Sequence, residues 1–273
     1  MDIWKELRGE GVDPALLEEI QHFRAAHPVP PEAEARIPVP QCLYYGTEVW
    51  ESAAAALLCG QHLLLAGPKA TGKNVLAENL AAVFGRPVWD VSMYVNVDAA
   101  ALIGADTLQK GEVVFREGPI CRCARLGGFG VLDEVNMAKN EALAVLHATL
   151  DHRRVIDVPG YERITLDEAT RFIGTMNYGY AGTRELNEAL VSRFAVLDMP
   201  VISEEDLQKL LRRTFPTLSA KWAEQFALLF RDLRQKCDSG EISTKALDLR
   251  GLLAALRQAG VVCLKAVLTP DNR

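Results

Sequence analysis

No stretch of the chain stays apolar for the roughly 20 residues that a membrane-crossing helix requires. The longest such run, Ala53 to Ala66, is broken by Gly60, Gln61 and His62, and this excludes a membrane span. An excess of positive charge is missing too. The 30 Lys and Arg residues stand against 36 Asp and Glu, a formal net charge of −6, so no overall field draws the chain to a phosphate backbone or an anionic lipid surface. Nucleic acid and membrane are therefore not expected partners. Residues 1–11 carry Asp2, Glu6 and Glu10 and lack the apolar segment of a secretory signal, so the expected location is the cytoplasm. The six cysteines (Cys42, Cys59, Cys121, Cys123, Cys237 and Cys263) are scattered through 273 residues. A chain of that size needs no disulfide staples, and reduced thiols are expected. Only Cys121 and Cys123 are close, with no second Cys/His pair nearby, which favours packing over a zinc site. Internal repeats are missing, and low complexity is confined to one proline-dense stretch, so repeat and solenoid folds drop out.

What remains is 49% apolar and 24% charged, the balance of a soluble globular protein with a sizeable core. At roughly 150 residues per domain, the length suggests one large domain or a core with a smaller satellite. Asp13-Pro14 followed by Leu16, Leu17, Ile20 and Phe23 reads as an N-cap, a first-turn proline and one apolar helical face. Five of the 13 prolines lie between Pro28 and Pro40, a density that predicts an extended connector without helix. A boundary is expected near Gln41, which sets residues 1–40 apart as N-terminal helix and connector. Through residues 41–200, β-type runs at His62–Ala66, Pro87–Ser92, Phe129–Leu132, Arg171–Thr175 and Ala195–Met199 alternate with helical ones. That alternation predicts an α/β fold, a parallel sheet sandwiched by helices. Residues 201–273 read as a small all-helical domain. Ser203-Glu204-Glu205-Asp206 resembles a capping box, Trp222, Phe226, Leu229 and Leu233 recur at helical spacing, and Asp248 can cap a helix running through Leu256.

The chemistry concentrates in Gly67-Pro68-Lys69-Ala70-Thr71-Gly72-Lys73-Asn74. This fits G-x-x-x-x-G-K, and an apolar strand precedes it while a helix through Val75, Leu76, Leu80 and Val83 follows. Strand, glycine-bounded loop and helix N-terminus together make a phosphate cradle in which Lys73 reaches the β- and γ-phosphates. Where Ser or Thr usually follows the lysine stands Asn74, whose amide oxygen is a weaker ligand for Mg²⁺. The acidic complement is Phe129-Gly130-Val131-Leu132-Asp133-Glu134. Asp133 is the candidate Mg²⁺ ligand. Glu134 is placed to polarise a water for attack on the γ-phosphate.

These residues resemble AAA+ ATPases, and within them the dynein-related MoxR branch that includes the CbbQ/NirQ activators. The resemblance spans about residues 41–260. It rests on the phosphate loop, Leu132-Asp133-Glu134-Val135-Asn136-Met137-Ala138, Thr175-Met176-Asn177, Tyr180 through Leu190, and Ser192-Arg193-Phe194, with Leu102-Ile103-Gly104 and Phe115-Arg116-Glu117-Gly118-Pro119 upstream. It implies a P-loop NTPase core with a helical lid, Asn177 as sensor 1, Arg193 as an arginine finger for a neighbouring subunit, and Arg250 as sensor 2, with Lys245 a rival. It also implies ATP and Mg²⁺ as cofactors, a homo-oligomeric, hexameric ring, and a client protein, with a von Willebrand factor A domain as the partner type. The stretch Val155 to Leu166, with Pro159-Gly160 at its tip, resembles the β-hairpin that precedes sensor 1 in such ATPases. A small-molecule kinase and a nucleotide-gated scaffold are the rival readings. Glu134 beside Asp133 favours water as acceptor over the first, and Asn74 motivates the second. The lack of a guanine-reading N-K-x-D motif favours ATP.

Overall fold

The computed structural model describes residues 2–158, 160–178, 186–243 and 249–268. They fall into two compact units, Met1–Pro200 and Val201–Arg273. The first opens with helix α1 (Ile3–Gly9), which the sequence pattern did not announce. Asp2 caps it, accepting from the Trp4 and Lys5 N–H groups at 3.1 and 3.2 Å. Helix α2 (Pro14–Ala26) starts where Asp13-Pro14 predicts: Asp13 Oδ1 accepts from Ala15 N at 2.9 Å, and Leu17 and Ile20 are buried. The proline-dense stretch is not wholly extended, because Pro31–Glu34 forms the one-turn helix α3. Proline's fixed φ suits a first helical position, where no N–H is needed. Nor does the expected boundary near Gln41 separate compact units. Phe23 meets Phe84 edge-on with ring centroids 5.3 Å apart, Arg24 donates to Val83 O at 3.0 Å, and Arg86 donates to His27 O at 2.5 Å.

Beyond α4 (Thr47–Leu58), strands and helices alternate as predicted. Strand β1 (His62–Gly67) is buried at every position and opens into the loop before α5 (Lys73–Phe84), which ends at a left-handed Gly85. After β2 (Val88–Ser92) come α6 (Ala99–Ile103), a hairpin of β3 (Gly104–Gln109) and β4 (Glu112–Glu117), and α7 (Pro119–Arg125). The two upstream motifs meet at the foot of this hairpin. Gly118 N donates to Ile103 O at 2.6 Å, and a side chain on Gly104 or Gly118 would collide with Arg116 O or Leu102 O respectively. Cys121 and Cys123 are buried on α7. Burial pushes the Cys121 thiol up to about 12 and the Cys123 thiol higher still, the behaviour of packed, unreactive groups.

Strand β5 (Phe129–Asp133) leads through α8 (Asn140–Leu143) and α9 (His147–Leu150) to a second hairpin, β6 (Val155–Ile156) and β7 (Ile164–Thr165). Tyr161 ties the two hairpins together: its hydroxyl donates to Asp106 Oδ1 at 2.8 Å, and its ring lies 5.0 Å from that of Phe115. Strand β8 (Arg171–Asn177), α10 (Glu188–Val191) and β9 (Phe194–Asp198) complete the unit. Five strands form one parallel sheet in the order β2-β5-β8-β1-β9. The fold is α/β, with helices flanking this sheet. The register aligns Gly67 with Asn177, Leu132 with Gly174 and Ser92 with Asp133, so the loop after β1 and the ends of β5 and β8 share the C-terminal edge. Ligands in open parallel sheets bind at that edge.

The second unit contains α11 (Glu204–Thr214), α12 (Ala220–Asp238) and α13 (Leu249–Leu268). Ser203 Oγ accepts from Asp206 N at 3.0 Å and donates to Asp206 Oδ2 at 2.7 Å, a cap in which aspartate replaces the usual glutamate. The packing face of α12 differs from the expected stripe: Ala223, Ala227 and Phe230 are buried, whereas Trp222 and Leu229 remain 55% and 49% exposed. Small alanines let the Leu207, Leu210 and Leu211 face of α11 approach closely, and that wins over the larger apolar residues one position away. Helix α13 runs past Leu256, and Asp248 lies outside the described residues. No helix among the described residues is long and apolar enough to cross a membrane.

His62, at the start of β1, carries a pH dependence. Its Nδ1 accepts from Phe172 N at 2.9 Å, and burial, with the charges of Arg154 and Arg171, lowers its pKa to about 3 from 6.5. The folded protein holds a neutral imidazole where the unfolded chain takes up a proton below pH ~6.5. This stabilisation is complete above ~6.5 and is lost as the pH falls toward 3, with a slope of about 1.4 kcal/mol per pH unit for one proton. Unfolding free energies measured in urea between pH 4 and 6 should show about one proton less of uptake in His62→Gln than in the parent. An unchanged slope would show that the imidazole is not the group responsible.

Candidate active site

The loop after β1 is built by local backbone constraints. Ala70 and Gly72 both adopt positive φ, 62° and 85°. At Gly72 a Cβ would sit 3.0 Å from Tyr44 Cδ2, so only glycine fits both the turn and the ring packed over it. Tyr44 is fixed by the fully buried Asn79 of α5, whose Oδ1 accepts from Tyr44 N at 2.8 Å while its Nδ2 donates to Cys42 O at 2.9 Å. Lys73 is buried and turned back over the loop, its Nζ donating to Gly67 O at 3.0 Å, Pro68 O at 2.7 Å and Thr71 Oγ1 at 3.2 Å. Thr71 Oγ1 in turn donates to Pro68 O at 3.0 Å. The span from Gly67 through Pro68, Lys69 and Ala70 to Asn74 and Val75 thus wraps one ammonium group at the start of α5. That helix has no side-chain cap, so its first N–H groups and dipole face the loop. A cation and a helix N-terminus on one glycine-shaped turn form an anion site.

Across the sheet edge stand the acidic residues. Asp133 Oδ1 accepts from the Thr175 hydroxyl at 2.7 Å, and Thr175 Oγ1 also accepts from Glu134 N at 3.0 Å. That bond holds Glu134 in a left-handed conformation, φ 56° and ψ 49°, unusual for a residue other than glycine. The turn aims the Glu134 carboxylate at Asn177, whose Nδ2 donates to Glu134 Oε1 at 3.1 Å. Asn136 closes the circuit from beneath: its Nδ2 donates to Asn177 O at 2.8 Å, and its Oδ1 is buried without a partner among the described residues. Two further carboxylates add negative field. Asp90 is pushed above its usual range by burial and by Asp133, and Glu78 by burial and by Asp90. Asn74 and Asp133 offer hard oxygen donors, the kind Mg²⁺ takes.

The sequence motifs therefore converge in part. Gly67 to Val75, Asp133, Glu134 and Asn177 share one edge of the sheet. Arg193 does not join them. It directly precedes Phe194, which pairs with His62, so it stands level with the opposite end of β1, about 16 Å along the strand from Gly67. Arg250 is in the first turn of α13, in the second unit. Lys245, Pro159 and the stretch 179–185 lie outside the described residues. Thr175, Asn136 and Asn79 were missed as positioning groups. A hydroxyl two residues before Asn177 and an amide two residues after Glu134 were the available signals.

An AAA-domain (dynein-related subfamily) family description matches residues 62–194. YojN of Bacillus subtilis, an uncharacterized protein, is 34% identical over 246 residues, covering 87% of this chain and 81% of that protein. Two further uncharacterized proteins, SH1500 of Staphylococcus haemolyticus and SAB1265c of Staphylococcus aureus, are 34% and 35% identical over 211 residues, each covering 75% of this chain and 80% of the relative. Among solved structures, a proposed ATPase from Cytophaga hutchinsonii matches with a TM-score of 0.53 and 17% identity over 80% of this chain. This chain spans 64% of that protein's length, and the likeness is one of fold. The phosphate loop and acidic edge on a 2-5-8-1-9 sheet, together with these relatives, lead to one conclusion: the chain belongs to the AAA-domain family, in its dynein-related subfamily.

Proposed function

We propose that the protein hydrolyses ATP and is a MoxR-type remodelling ATPase, coupling hydrolysis to a conformational change in a partner protein. The observation that carries this reading is the 3.1 Å contact between Asn177 Nδ2 and Glu134 Oε1 at the sheet edge that also holds Gly67 and Asp133. A carboxylate beside a metal-binding aspartate, steadied by a strand-end amide, suits a base that takes a proton from water. Lys73 and the N–H groups from Gly67 to Val75 would receive the phosphates, the lysine exchanging its loop carbonyls for phosphate oxygens. Asn74 and Asp133 would hold Mg²⁺, which when bound neutralises charge on the phosphates. Arg193, too far along the sheet to serve its own loop, is the arginine finger of a neighbour's site, and this reading calls for a ring, taken as hexameric. Arg250 acts as sensor 2. The client, of von Willebrand factor A type or another, meets the hairpin of β6 and β7. A nucleotide-gated scaffold with little turnover is the second reading, favoured by Asn74.

Three measurements test the proposal. In Glu134→Gln, phosphate release without added acceptor should fall about 10²–10⁴-fold while nucleotide binding persists, whereas Lys73→Ala should lose affinity as well. Undiminished release in the first variant, or release that needs a small-molecule acceptor, would overturn the assignment. Asn74→Thr should reach half-maximal turnover at lower Mg²⁺ than the parent; equal titrations would remove Asn74 from the metal site. Arg193→Ala should be about 10³–10⁵-fold slower alone yet regain activity when mixed with Lys73→Ala, because some interfaces then pair an intact loop with an intact arginine. A mixture no more active than its components would count against a shared site.

A further inference from the structure

Arg193 is held within its own subunit by two carbonyl acceptors and one ion pair. Its Nε donates to His147 O at 3.1 Å, its Nη1 donates to Ala189 O, and its Nη2 lies 3.6 Å from Asp151 Oδ2. The arginine side chain is 23% exposed and the carboxylate 12%, so the charge pair is partly shielded from water. Asp151 does not depend on it. Arg153 reaches both carboxylate oxygens: Nε donates at 3.0 and 3.1 Å, Nη2 donates to Oδ2 at 2.6 Å, and the Arg153 backbone N–H donates to Oδ1 at 3.0 Å. Arg153 also holds the carboxyl well below the usual carboxylate range, so it stays charged.

Resting on the reading of Arg193 as a residue that acts in trans, we propose that Asp151 is a positioning residue that stores Arg193 in the unassembled subunit and competes with a neighbour's triphosphate for it. The asymmetry of the site sets the direction. Removing one partner from a shielded ion pair is costly when the other charge is left alone. Here Arg153 continues to neutralise Asp151 after Arg193 departs, so release leaves no orphaned carboxylate. Arg193 contributes the longer contact of the two and is the one free to exchange. The His147 and Ala189 carbonyls belong to the short helices α9 and α10, whose ends water can solvate. A triphosphate carries more negative charge than one carboxylate, and it outcompetes Asp151 once a neighbouring subunit brings it within reach. Free subunits therefore keep the arginine withdrawn, and assembly with nucleotide draws it out.

The test separates the subunit that donates the arginine from the one that holds nucleotide. A Lys73→Ala donor is titrated into a fixed amount of Arg193→Ala acceptor, and phosphate release is followed. Adding Asp151→Asn to the donor should lower the half-saturating donor concentration about three- to fivefold, the size expected for loss of a weak ion pair. Adding it to the acceptor should change nothing, and Asp151→Glu in the donor should keep the parent value. A purely structural role would weaken rescue from either side. Equal half-saturation for the Asp151→Asn and parent donors overturns the proposal. So does weaker rescue by the Asp151→Asn donor, which would mean that the carboxylate presents the arginine rather than storing it. If the parent donor gives no rescue at all, the trans reading of Arg193 fails first and this proposal falls with it.

Discussion

Thr175 donates its hydroxyl proton to Asp133 at 2.7 Å and accepts the Glu134 N–H at 3.0 Å, and the acidic edge of the sheet is organised around this single oxygen. A left-handed glutamate costs on the order of 1–3 kcal/mol, and a hydrogen bond to its amide, with a net contribution of about 0.5–1.5 kcal/mol, offsets part of that strain. Without the hydroxyl, the chain after β5 would be free to continue in an ordinary conformation, and the Glu134 carboxylate would leave Asn177. The bond also joins two strands that are neighbours in space but 42 residues apart in sequence. The sheet register, set by apolar residues far below the edge, thus decides which polar groups meet at the top. Packing and chemistry are linked through one side chain.

The two halves of the site are electrostatically opposed. On one side a lysine and a helix N-terminus are wrapped by loop carbonyls; on the other, burial and the neighbouring Asp133 raise Asp90, and burial and Asp90 raise Glu78. A polyanion carrying a divalent cation would complement both sides at once, its negative charge suiting the first and its cation the second.

Much of this was legible from the residues. The inner strands β1, β5 and β8 are buried on both faces and read as apolar runs, while the edge strands β2 and β9 are exposed at alternate positions; all five could be located within a residue or two, and the glycine pattern of the phosphate loop carries its own geometry. Other features depend on what the chain meets after folding. The N-terminal helices look like a detachable segment until Phe23 finds Phe84 and Arg24 finds the end of α5. The apolar stripe of α12 is stronger at Trp222 and Leu229 than at Ala223 and Ala227, yet closeness of approach, which periodicity does not encode, selected the alanines. Arg193 could be singled out from its motif, but its two carbonyl acceptors and its ion-pair partner come from α9, α10 and the turn at Asp151, and only tertiary structure brings them around it. Thr175 lay inside a recognised motif and still escaped notice, because its role is set by its pairing across the sheet.

Tyr161 has a mechanical consequence for the two hairpins. The β3–β4 hairpin is a largely exposed ribbon, whereas the β6–β7 hairpin is seated in the core through Ile156, Val158, Ile164 and Leu166. With the hydroxyl fastened to Asp106 and the ring lying against Phe115, the pair is triangulated, as a strut is when braced to its neighbour. A force applied to the tip of the exposed ribbon is then shared with the seated one, and it arrives at two places beside the sheet: the turn before α7 and the approach to β8.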